Sequence, residues 1–255
     1  MSLFRKRRPA GESGDQAETS EWLMAATGNI PAVPAEPEQA PEPEPQDDDR
    51  PDRPNGPWDV SEVPDPGDYL DLGAIRLRPR PGMDLRLEID EASGQVTTAM
   101  VQLGGSAVQL QAFAAPRSMG IWDEIRAEIA EGVTRQGGTA DDVPGTFGRE
   151  LLARVPVHTA DGRTAHQPAR FTGTDGPRWF LRAVFHGAAA YKAEAAVELE
   201  ALVREVVVVR GSEAMAPREL LPLRLPRETG APEPEQEERP SLDPFHRGPE
   251  ITEIR

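Results

Sequence analysis

Asp175-Gly176-Pro177-Arg178-Trp179-Phe180-Leu181-Arg182-Ala183-Val184-Phe185 is the most strand-like segment of the chain. From 177 to 185 it is rich in aromatic and β-branched residues, and the Asp-Gly pair before it reads as a tight hairpin turn. Successive side chains of a strand point to opposite faces. Trp179, Leu181, Ala183 and Phe185 therefore share one face, and Arg178, Phe180, Arg182 and Val184 the other. Residues 107–114 repeat the pattern, with Val108, Leu110, Ala112 and Ala114 set against Gln109, Gln111 and Phe113. The parity predicts a sheet that is apolar on one face and half-wet on the other.

Residues 83–89 and 95–103 read as strands around a turn at 88–95, and Gly104-Gly105 leads into the strand at 107–114. Residues 147–157 and 169–173 add two more strands, with Asp161-Gly162 as a further hairpin turn. Residues 120–135 form the clearest helix: Trp122, Ile125, Ile129 and Val133 recur at helical spacing, and Gly137-Gly138 stops them. Residues 194–206 form a second helix through Ala195, Leu199, Leu202 and Val206, supported by a Glu200–Arg204 pair. The run 206–209 suits either a helix end or a short strand. The expected fold class is α+β: an antiparallel sheet of about six strands with two main helices packed on it.

The chain has 255 residues with 28 basic and 44 acidic side chains, a formal charge of −16, 37% hydrophobic residues, 27 Pro and 23 Gly. Residues 1–56 hold 6 basic and 12 acidic residues with 9 prolines, and 227–255 hold 4 basic and 8 acidic with 5 prolines. Such segments bury too little apolar surface to offset ordering entropy, so both are expected to be disordered acidic tails around a single α+β domain at 57–226. The acidic balance argues against nonspecific nucleic-acid binding, which needs clustered cations. Arg5, Lys6, Arg7 and Arg8 resemble the start of a signal segment, but Pro9, Gly11, Glu12 and Asp15 follow at once instead of an apolar stretch. No run approaches the length of a membrane span. The expectation is a cytoplasmic protein, with contact between Arg5–Arg8 and acidic lipid as a secondary expectation.

The absence of cysteine excludes disulfides, thiolate metal sites and cysteine nucleophiles. His158 and His166 flank the Asp161-Gly162 hairpin without a metal-binding spacing, and His246 lies in the tail. Gly104-Gly105-Ser106 lacks the second glycine of a nucleophile elbow, and no phosphate-binding glycine loop is present. Paired acids such as Asp141-Asp142 and Asp90-Glu91 fall in turns. No metal and no cofactor is expected, and the reading leans away from an enzyme. The candidate surface is the polar sheet face: Arg178 and Arg182 about 13 Å apart on one strand, Arg170 on the strand before, and Phe180, Gln109 and Gln111 among them. Arginines interleaved with aromatics can dock an acidic group or a protein partner. Two functions follow: a non-enzymatic binding or adaptor module using a sheet face or hairpin, or an anionic-metabolite binder or enzyme with an Arg-lined pocket. Ser241-Leu242-Asp243-Pro244-Phe245 with Ile251 and Ile254 further suggests a short motif that orders on binding.

LQAFAAPRSMGIWDEIRAEI at 110–129, RQGG at 135–138, DGPRWFLRAVF at 175–185, VVVVRG at 206–211 and MAPRELLPLRLP at 215–226 carry a resemblance. On these motifs the span 57–226 resembles an actinobacterial family of unknown function, DUF3710. The resemblance implies no activity. The order of strands and helices also looks loosely like the Mog1/PsbP-type sandwich, whose members mostly bind partners or small ligands.

Overall fold

The computed structural model describes residues 53–65, 67–90, 94–116, 120–158 and 163–226, apart from the side chain of His158. The tails at 1–52 and 227–255, the Asp161-Gly162 hairpin and the 241–254 motif lie outside the described residues. In chain order the strands are β1 (Trp58–Asp59), β2 (Leu70–Asp71), β3 (Ile75–Leu77), β4 (Asp84–Ile89), β5 (Val96–Leu103) and β6 (Ser106–Ala114). Helix α1 (Trp122–Arg135) follows, then β7 (Thr139–Gly145), β8 (Gly148–His158), β9 (Thr164–Gly176) and β10 (Trp179–His186). A 3-10 turn (Gly187–Ala190), helix α2 (Ala193–Arg204) and β11 (Val207–Val208) complete the order.

The α+β reading holds, with more strands than the six expected. Seven strands form an antiparallel sheet in the order β4-β5-β6-β10-β9-β8-β7, and a second sheet runs β1-β11-β3-β2 with β1 and β11 parallel. The strand at 139–145 was not anticipated because TADDVPG reads as a polar turn. It is an edge strand facing water, and Asp141, Asp142 and Pro144 on an edge discourage pairing with other chains. The strands of the smaller sheet are two or three residues long, too short to show a period. One of them settles 206–209, where Val207–Val208 pairs with β1 and β3.

The larger sheet is buried on both faces. On one, Val108, Leu110, Ala112, Trp179, Leu181 and Phe185 pack against α2 residues Leu199, Leu202 and Val203 and the smaller sheet's Ile75 and Leu77. On the other, α1 lays Trp122, Ile125 and Val133 on Leu151, Val155, Phe171, Phe180 and Val184. Full burial of such side chains contributes roughly 1.5–3 kcal/mol each. The apolar stripe of α1 is therefore core, as its spacing implied.

The turn before β10 differs from the one expected. Asp175 and Gly176 end β9, and the two-residue loop is Pro177-Arg178. Proline presets the first position of a type II turn, and Arg178 takes the positive φ (+62°) at the second. Arg178 is thus a turn residue rather than a strand residue. Released from the turn, the Asp175 carboxylate accepts hydrogen bonds from the amides of Ile121 (2.8 Å) and Trp122 (3.3 Å). It caps α1 from 53 positions away in sequence, satisfying donors that the helix start leaves open.

Candidate functional site

The six nominated residues separate into three places. Arg182, Gln111 and Gln109 come together on one face of β10 and β6, where Arg182 pairs with Gln111 and Val184 with Gln109 in register. Phe180 lies on the same face, packed between Phe113 (ring centroids 5.8 Å apart) and Trp122 (5.9 Å). Arg178 sits in the turn, where its carbonyl accepts from Arg210 Nε at 3.2 Å. Arg170 points to the opposite face: its guanidinium carbon lies 4.3 Å from the Phe185 ring centroid. There it bridges Glu150 (3.2 Å) and Glu200 (2.8 Å). Its neighbours Ala169 and Phe171 face α1, so strand alternation turns Arg170 away from Arg182.

The expectation of a half-wet face is corrected. Gln109, Gln111 and Arg182 are 2%, 4% and 2% exposed, and Phe180 is fully buried. Part of the reason is α1, which covers β7, β8 and β9. At Gly173, the β9 neighbour of Arg182, the Trp122 ring approaches so closely that a Cβ would lie 2.3 Å from it. A glycine there lets the indole lie on the sheet.

Beyond this aromatic cluster runs a polar row across neighbouring strands. Arg182 Nη2 donates to Gln111 Oε1. Gln111 Nε2 donates to Thr98 Oγ1 at 2.9 Å. Thr98 pairs in register with Glu88 of β4. A parallel row holds Gln109, Met100 and Arg86. Arg182 lies over the Phe113 ring at 5.3 Å, and burial lowers its guanidinium pKa to about 10. A buried cation with hydrogen-bonding neighbours is a costly feature, which makes this row the most distinctive chemistry on the sheet. Burial also pushes the Glu88 carboxyl up.

Sequence reasoning missed Thr98, Met100, Arg86 and Glu88. The available signal was parity: in Val96–Leu103, Thr98, Met100 and Gln102 alternate with Thr97, Ala99 and Val101. Their register with β6 sets them beside Gln109 and Gln111. The Glu150–Arg170–Glu200 bridge joins residues from separate elements and left no local trace. Thr146 Oγ1 extends it, donating to Glu200 Oε2 at 3.0 Å, while Arg204 stands 4.0 Å from the same oxygen.

His186 shares the Arg182 face; burial pushes its pKa down to about 4, and its Nε2 has no hydrogen-bond partner among the described residues. Among those residues no three of His, Cys, Asp and Glu gather as a metal-binding group, and no helix is long and apolar enough to cross a membrane.

No curated protein matches this sequence. Residues 56–231 match the family model described as "Protein of unknown function (DUF3710)", and with more than half its length inside that match the chain belongs to this family.

Proposed function

We propose that this protein is a non-enzymatic docking module of the cytoplasm. In this reading, the half-face of β4, β5 and β6 next to the Arg182–Gln111–Thr98 row receives a segment of a protein partner. The observation that carries it is that row: linked, buried polar groups lie on a sheet half that α1 leaves to others, since α1 packs on β7, β8 and β9. Amide side chains at Gln109 and Gln111 suit an uncharged segment offering carbonyl and N–H groups, and Met100 and Phe113 suit its apolar side chains. Other chemistry-bearing side chains have structural tasks. Asp175 caps α1, Glu150 and Glu200 hold Arg170, and Asp59 Oδ2 accepts from Trp179 Nε1 at 2.8 Å. The cysteine-free composition suits a reducing compartment.

The test is affinity purification of the full chain from its native cytoplasm, comparing wild type with Arg86→Glu/Gln102→Glu on the half-face and with Val197→Glu on α2. A partner retained by wild type and Val197→Glu but lost by the half-face variant supports the reading. Equal recovery from all three, or no specific partner, counts against it.

A further inference from the structure

Thr98, Gln109, Gln111 and Arg182 are between 0% and 4% exposed, although the main packing of α1 falls on β7, β8 and β9. The described helices and strands put no comparable layer over β4, β5 and β6 on that side: α2 and the 3-10 turn that contact β6 belong to the opposite face. Buried side chains require a cover. We propose that the cover is the chain's own residues 22–35, so that the docking face is occupied in cis and an external partner competes with this segment for it.

Three observations single out this stretch. Residues 22–35, Trp22-Leu23-Met24-Ala25-Ala26-Thr27-Gly28-Asn29-Ile30-Pro31-Ala32-Val33-Pro34-Ala35, contain no charged side chain, within an arm that is otherwise densely charged. Residues 227–255 have no uncharged run longer than four, so laying them on a buried face means desolvating carboxylates. The chemistry also matches: Trp22, Leu23, Met24, Ile30 and Val33 supply apolar surface for Met100 and the rim of the Phe113 cluster. Asn29 and the backbone carbonyls supply partners of the kind that Gln109, Gln111 and Arg182 use. The reach is adequate. The described chain begins at Arg53, whose guanidinium carbon lies 5.1 Å from the Trp179 ring centroid. Trp179 begins β10, about 10 Å along the strand from Arg182 at roughly 3.4 Å per residue, with its ring on the opposite face, so the connector has to pass round the end of the sheet. The connecting residues 36–52 span up to about 56 Å when extended, against about 29 Å between the outermost strands of the sheet. A tethered segment works at an effective concentration in the millimolar range, so weak contacts suffice to seat it.

The proposal rests on reading this half-face as a docking surface, but its readout needs no external partner. The chain has no cysteine, so a single thiol can be introduced in the full-length protein by Met100→Cys on the half-face or by Val197→Cys, at an exposed site on α2. Reaction with a small disulfide reagent is followed in each, with and without Trp22→Glu/Leu23→Glu. The expected result is reaction at position 100 at least ten times faster once the two glutamates are present, and an unchanged rate at position 197. Equal rates at position 100 in both backgrounds would overturn the proposal. So would protection that disappears on dilution, which would identify a second copy as the cover. Protection relieved by the glutamates in a chain that captures no partner would retain this inference while removing the proposed function.

Discussion

Replacing Asp175 with alanine tests how a β9 residue starts helix α1. Its carboxylate accepts the Ile121 and Trp122 amide hydrogen bonds at 2.8 and 3.3 Å. Ile121 has no side-chain cap of its own. Loss of a cap costs about 1 kcal/mol, and loss of a negative charge at a helix N-terminus adds up to about 1 kcal/mol. Burial, which pushes the Asp175 carboxyl above the usual carboxylate range, offsets part of this. The expected loss is therefore about 1.5 kcal/mol, or roughly 3–6 °C in Tm for a folded unit of this size. Gly120 supplies an internal control, because a Cβ there would lie 2.3 Å from Asp175 Oδ2. Gly120→Ala alone should destabilise the protein at least as much as Asp175→Ala, whereas in the Asp175→Ala background it should add less, because the carboxylate contacts are gone and only the tight contact with the residue 175 Cβ at 3.1 Å remains. Denaturant unfolding of the four proteins gives the coupling energy, expected to be at least about 1 kcal/mol. An Asp175→Ala loss below about 0.5 kcal/mol, or additive single changes, would refute the capping argument.

Three further outcomes are expected. Gly173→Ala should cost about 2–3 kcal/mol in chemical denaturation, because its Cβ would meet the Trp122 and Phe180 rings at 2.3 and 2.7 Å. Arg170→Met should cost about 3 kcal/mol by leaving the buried Glu150 carboxylate uncompensated; a loss below 1 kcal/mol by thermal unfolding would contradict the network. His186 takes a proton near pH 6.5 when unfolded but only near 4 when folded. Stability should therefore be unaffected by this group above pH 6.5 and fall by up to about 3 kcal/mol as pH drops from 6.5 toward 4. His186→Asn should flatten that limb of the stability–pH curve, and an unchanged slope would show that other groups govern it.

The residues most legible in the sequence were those whose neighbours also obeyed a period. The α1 stripe and the alternation of β6 and β10 placed Gln109, Gln111 and Arg182 on one face because strand parity is local and register preserves it. Burial was not legible, since it depends on what covers the face. Trp122 reaches Gly173 only once α1 is folded back over β9, a contact between distant residues. Arg178 was misassigned by a shift of one hairpin turn: Asp-Gly is a strong turn signal, but Pro177 and the positive φ of Arg178 form the loop while Asp175 caps α1. That Arg170 faces away from Arg182 required the start of β9, which runs from Thr164 through polar His166 and Gln167 and hides its period. The strand Thr139–Gly145 was hidden for the same reason, since an exposed edge has no apolar alternation to show.

The most direct measurement is photo-crosslinking from position 100 of the full-length chain in the cells that produce it, with a benzophenone amino acid replacing Met100 and the same group at position 197 as control. Adducts are expected from position 100 to residues 22–35 or to one discrete protein partner, and neither from position 197. A position 100 that yields no adduct, or the same diffuse adducts as position 197, would contradict the claim that this half of the sheet is a binding face.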